Sequence, residues 1–72
     1  MTEIAIISHT EHYLNDNGKV VGWEPTIREI NHFPEKFNII YHLAPLHSGS
    51  PHRANITYNS DRIIYKPLIP SG

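Results

Sequence analysis

The chain has 72 residues, with six lysines and arginines against seven aspartates and glutamates, six histidines and no cysteine. That length admits one domain burying only about 60% of the surface its unfolded chain exposes, and the missing cysteines exclude a disulfide framework, a thiolate nucleophile and a zinc–thiolate site. A net charge of −1 without runs of either sign speaks against attachment to nucleic acid or an acidic membrane; with no apolar stretch near the roughly 20 residues of a bilayer span and no basic region at Met1-Thr2-Glu3, a soluble, cytoplasmic protein is expected.

In chain order, Ile4 to Ile7 is a continuous apolar run, which predicts a strand covered on both faces and therefore central in its sheet. His9 to Val21 turns polar. Within it Asn15-Asp16-Asn17-Gly18 is a turn signal in which Gly18 supplies a positive φ, and Lys19, Val20 and Val21 can add a short hairpin arm. Gly22 closes this loop ahead of a helix that carries two competing start signals. Pro25 suits a first turn, while Thr26 with Glu29 three residues on has the spacing of a capping box. Trp23, Ile27, Ile30 and either Phe33 or Phe37 step by three or four and make an apolar stripe that packs on the sheet. Pro34 ends the helix near Phe33.

Asn38 to Ala44 is the second predicted strand, closed by Pro45. A crossover through the helix sets it parallel to the first. Leu46 to Asp61 lacks a period and reads as a mobile or a binding loop, and Arg62 to Leu68 is the third strand, with Pro67 near its end. The predicted fold is α/β over residues 1–72: three mostly parallel strands and one main helix in β-α-β-β order, an incomplete doubly wound sheet. Parallel sheets need helices on both faces, so three strands with one helix leave at least one face bare. Either these residues open a larger domain, or a partner chain or second copy covers the apolar face.

Ligands of open parallel sheets bind outside the carboxyl ends of the strands, which directs attention to the loop after the first strand. His9, Glu11 and His12 offer imidazole and carboxylate groups there that could contact a sugar, move a proton or hold a metal. Gly22, Trp23 and Glu24 form a second set. A helix amino end exposes N–H groups to an anionic sugar or phosphate, Gly22 allows close approach or simply a turn, and Glu24 can accept sugar hydroxyls. The Trp23 indole is either a platform for a pyranose ring or the first core residue of the helix. His42 is expected as a satisfied polar group within its strand, His47 and His52 in the loop, and Arg53 as a solvated loop arginine. Asn55-Ile56-Thr57 matches a glycosylation acceptor by chance.

The runs Ile6-Ile7-Ser8-His9-Thr10-Glu11-His12, Gly22-Trp23-Glu24-Pro25-Thr26-Ile27-Arg28-Glu29-Ile30-Asn31-His32, Tyr41-His42-Leu43-Ala44-Pro45-Leu46-His47 and Ile63-Ile64-Tyr65-Lys66-Pro67-Leu68 together resemble the N-terminus of bacterial glycosyltransferases of the GT-B class, the retaining family 4 type. The resemblance implies twin Rossmann-like halves, of which this chain is the first part of the acceptor-binding one. It also implies a nucleotide-sugar donor as co-substrate rather than a bound cofactor, and an acceptor glycan or small molecule. Gly22 stands where the family has a glycine-rich loop facing donor phosphate and acceptor, although Trp23 follows where many relatives have a second glycine. The donor-binding residues belong to the family's other half. Two further readings stay open: a small interaction module that docks a partner or a second copy on its open sheet face, and a histidine-based metal protein.

Overall fold

The computed structural model describes residues 2–50 and 54–68. Six strands, one α-helix and one 3-10 turn form two small sheets: β1 (Glu3–Ile7), β2 (His12–Leu14), β3 (Val20–Trp23), α1 (Glu24–Ile30), the 3-10 turn (Phe33–Glu35), β4 (Ile39–Pro45), β5 (Asn55–Thr57) and β6 (Ile63–Leu68). β1, β4 and β6 make a parallel sheet in the order β1-β4-β6. β2, β3 and β5 make an antiparallel one in the order β2-β3-β5.

The expected parallel pairing of the first two long strands is present, but their places in the sheet differ from expectation. β1 is an edge strand, not a central one. Its Ile4 and Ile6 turn inward, half-buried, whereas Glu3, Ala5 and Ile7 are exposed, Ile7 by 73%. A continuous apolar run shows that both faces are apolar, not that both are covered. The centre belongs to β4, which alternates strictly: Ile40, His42 and Ala44 are buried, and the residues between them half-buried.

The inner face of the parallel sheet carries the core. Ile30, Ile40 and Ile63 are buried together, with Ile4, Ile6, Phe33, Phe37 and Tyr58 packed against them; each such isoleucine is worth about 1.5–3 kcal/mol. The opposite face, where register places Ile7, Leu43 and Lys66 in one row and Ala5, Tyr41 and Ile64 in another, has no helix over it among the described residues. The bare face expected from counting elements is therefore present.

α1 begins at Glu24, so the proline signal prevails. Pro25 lies in its first turn, Trp23 is the N-cap residue but its side chain does not cap the helix amides, and Thr26 falls inside the helix. The apolar stripe holds in its middle, with Ile27 and Ile30 buried, but Trp23 remains 39% exposed. After Asn31 the chain tightens into the 3-10 turn around Pro34. Asn31 then clips the far side of the fold, donating to the Thr57 carbonyl and accepting from the Asn59 amide.

The polar stretch after β1 is more ordered than a loop. Asn15 Oδ1 accepts from the amides of Asn17 and Lys19, Gly18 takes φ +78°, and a hairpin joins β2 to β3. The turn signal and the hairpin arm were both legible. Part of the predicted loop after β4 is also a strand, since Asn55–Thr57 pairs with β3; three residues are too short to show alternation. His52 and Arg53 lie outside the described residues. Among the described residues no helix is long and apolar enough to cross a membrane.

Candidate functional site

Where β1 ends, the Ser8 amide bonds to the Leu43 carbonyl and the chain turns off the sheet towards β2. This turn brings a buried polar chain together, running from Ser8 at the carboxyl end of β1 to His42 in the middle of β4. Ser8 Oγ lies 2.7 Å from His42 Nε2, His42 Nδ1 lies 2.7 Å from the Tyr58 hydroxyl, and that hydroxyl lies 2.6 Å from His12 Nε2. His12 Nδ1 lies 2.8 Å from the Thr10 carbonyl. Both imidazoles are wholly inaccessible to solvent, and Ser8 is half-buried at the outer end.

The last contact orients all the others. A carbonyl only accepts, so His12 Nδ1 carries a proton. In the neutral ring Nε2 is then an acceptor and must receive the Tyr58 O–H. The Tyr58 oxygen accepts in turn from His42 Nδ1–H, which leaves His42 Nε2 to accept the Ser8 hydroxyl proton. The chain thus runs in one direction from Ser8 to Thr10, with every buried nitrogen satisfied, as burial requires.

Electrostatics keep the chain neutral. Burial lowers the pKa of His42 from 6.5 to about 4, helped by His12. Burial also lowers that of His12, opposed by its bond to Thr10 and assisted by His47. The Tyr58 and Tyr65 phenols are both pushed up by burial. Tyr65 completes the cluster, stacked on His12 at 4.5 Å between ring centroids, its O–H donated to the Ala44 carbonyl 2.7 Å away. Linkage gives a direct expectation. Both histidines hold protons less readily folded than unfolded, so stability should be level above pH 6.5 and fall as the pH is lowered towards 4. Urea midpoints taken across that interval check it; midpoints that stay level would contradict the buried placement of the pair.

Ser8 and His42 have the spacing of a nucleophile and its base, but the group orienting His42 is a neutral phenol rather than a carboxylate. Nothing in the chain stabilises an imidazolium at His42 as a triad carboxylate would. The cluster is suited to satisfying its own buried nitrogens, not to activating a nucleophile.

The residues singled out in the sequence are dispersed. His12 is central to the cluster. His9 is exposed, and Glu11 is exposed and accepts the Tyr13 hydroxyl at 2.7 Å. His-Thr-Glu-His therefore does not converge, and both His12 nitrogens are already engaged; among the described residues no group of three potential ligands could hold a metal. Gly22 lies opposite His12 in the β2–β3 ladder, and a Cβ there would come within 2.8 Å of His12 Nε2 and of Ile27 Cδ1. Its close approach is thus to a side chain of this protein. The Glu24 amide is engaged by the Ala54 carbonyl at 3.0 Å, its carboxylate lies 3.4 Å from Arg28, and the helix has only seven residues. An anion site over this helix end therefore loses its physical basis.

His42 is the satisfied strand histidine that the sequence predicted. No sequence signal singled out Tyr58 and Tyr65, although Tyr65 is the register partner of His42 and Tyr58 packs against the apolar core. In comparison with known proteins, the chain matches no family model, and no curated protein or solved structure is significantly similar to it.

Proposed function

We propose that this chain is the opening part of the Rossmann-like, acceptor-binding domain of a glycosyltransferase, which moves a sugar from a nucleotide-sugar donor to an acceptor hydroxyl in the cytoplasm. The observation that carries the reading is the strand order. Read from the far edge, β6-β4-β1 has the same 3-2-1 order as one half of a doubly wound sheet, in which the next strand adds beside the first and ligands bind at the carboxyl ends near that junction. Among the described residues the outer edge of β1 is open in the sheet and one sheet face has no helix over it, as such a half-sheet would leave them. The resemblance of the four sequence runs supports the same reading.

The test is to isolate the gene product intact from its source, weigh it and supply it with labelled nucleotide sugars and mixed acceptors. Donor-dependent transfer by a species several times longer than 72 residues is expected, with none from the short chain alone. An intact mass matching the short chain would overturn the reading. The open face, with Ile7 and Ile64 exposed, would then favour the interaction module, for which sedimentation should show concentration-dependent dimers.

A further inference from the structure

His12 and His42 have no exposed surface, yet a hydrogen-bonded route joins both to the half-buried Ser8 hydroxyl. At its inner end the Thr10 carbonyl accepts a hydrogen bond but cannot pass a proton on. The route therefore has an outlet at Ser8 and a closed end at His12. Each link lies between 2.6 and 2.7 Å, close enough for a proton to cross without movement of heavy atoms.

We propose that Ser8, His42, Tyr58 and His12 form a reversible proton relay that stores one proton on His12 and thereby turns the Ser8 hydroxyl from a hydrogen-bond acceptor into a donor towards solvent or ligand. In the neutral chain the Ser8 proton points inward to His42 Nε2, so the rest of Oγ presents only lone pairs, one of them taking a long 3.4 Å bond from the Thr10 amide. When a solvent proton joins Ser8 Oγ, the Ser8 proton passes to His42 Nε2. His42 Nδ1 releases its proton to the Tyr58 oxygen, and Tyr58 passes its own to His12 Nε2. Each bond broken is matched by one formed, and the additional bond is to the solvent proton. Every link survives with its direction reversed: His12 donates to Tyr58, Tyr58 to His42, and His42 to Ser8, whose proton now points outward.

The surroundings determine where the charge rests and why only one proton is taken. The doubly protonated His12 ring keeps its Thr10 carbonyl partner and lies stacked against Tyr65 at 4.5 Å, where the ring face attracts a cation. A second proton on His42 would face the His12 charge at 5.1 Å between centroids and set N–H donors on both sides of the Tyr58 hydroxyl. The titratable groups facing the pair are Tyr58 ahead of β6, Tyr65 on β6 and His47 after β4. Glu11, adjacent in sequence to His12, is engaged by Tyr13. From α1 the apolar Ile27 approaches His12 across Gly22. Among the described residues no carboxylate hydrogen-bonds either imidazole, so the first proton has no fixed counter-ion and leaves readily as the pH rises.

The relay is read from the histidine nitrogens of the full chain by 15N NMR as the pH is lowered from 7. At neutral pH both rings should carry the proton on Nδ1. As His12 becomes doubly protonated, His42 should exchange its Nδ1–H form for the Nε2–H form at the same midpoint, without gaining charge. A His42 that keeps its Nδ1 proton through the His12 titration would overturn the relay, as would both rings becoming doubly protonated together on unfolding. Ser8→Ala removes the outlet and the acceptor for His42 Nε2–H, so the His12 midpoint should move down, and Ser8→Thr, which keeps the hydroxyl, should restore it. An unchanged midpoint in Ser8→Ala would also refute the proposal. These readouts need no ligand, and they stand or fall separately from the glycosyltransferase reading.

Discussion

Tyr58→Phe should destabilise the fold by about 2–5 kcal/mol, although it deletes a single oxygen. That oxygen bridges His12 on β2 and His42 on β4, one from each sheet. Without it, His12 Nε2 loses its donor and His42 Nδ1–H loses its acceptor, in two rings with no access to water. Each orphaned buried group costs about 1–3 kcal/mol. No change of tautomer relieves the loss, because moving the His42 proton to Nε2 merely leaves Nδ1 as an unsatisfied acceptor. A fold of 72 residues has roughly 4–11 kcal/mol in all, so the variant should lose a large share of its stability. Urea denaturation measures this, with a lower midpoint and an unchanged slope expected. Tyr65→Phe is the control: its hydroxyl has one partner, the Ala44 carbonyl, and the loss should be nearer 1 kcal/mol. Equal effects from the two variants would show that Tyr58 is not the bridge.

Gly22→Ala should cost about 1–3 kcal/mol, the usual range for overpacking, and Gly22→Val more. The added Cβ would meet His12 at 2.8 Å on one side and Ile27 at the same distance on the other. His12 cannot withdraw, because both its nitrogens are held, and Ile27 is fully buried. For a domain of this size each kcal/mol lowers the melting temperature by about 4–8 °C. A double-mutant cycle with His12→Ala distinguishes this from a glycine kept for a ligand. Removing the imidazole makes room for the methyl group, so the two costs should combine to much less than their sum. Strict additivity would place the constraint on Gly22 elsewhere.

The sequence carried the fold through local rules. Asn15 to Gly18 announced its turn, Pro25 and the Thr26–Glu29 spacing together bracketed the helix start without deciding it, Ile27 and Ile30 marked the buried stripe, and the runs around Ile40 and Ile63 the parallel strands. Local rules failed where neighbours decide. The composition of Ile4 to Ile7 could not say whether a second layer lay against it, and Asn55 to Thr57 became a strand only because β3 offered an edge. The polar cluster was the least legible part. Its members are Ser8, His12, His42, Tyr58 and Tyr65, drawn from separate elements and joined only by the register of two sheets. Imidazoles at the strand end suggested a site for ligands or metal, whereas folding spent both His12 nitrogens on Thr10 and Tyr58 and left His9 exposed. His42 came nearest to being read correctly, since it shares the alternation of Ile40 and Ala44 and any polar group in that row must find partners.

The two borders of the parallel sheet are not equivalent. β6 contains Pro67, which has no N–H to offer a neighbour, and Lys66 beside it, both residues that discourage strand addition at a sheet border. β1 has neither, and its row from Glu3 to Ile7 keeps every amide. Growth of this sheet is therefore one-directional: a further strand, from whatever source, is admitted beside β1 and discouraged beside β6. The chain has a sealed border and an accepting one, a polarity that fixes where any assembly built on this sheet must begin.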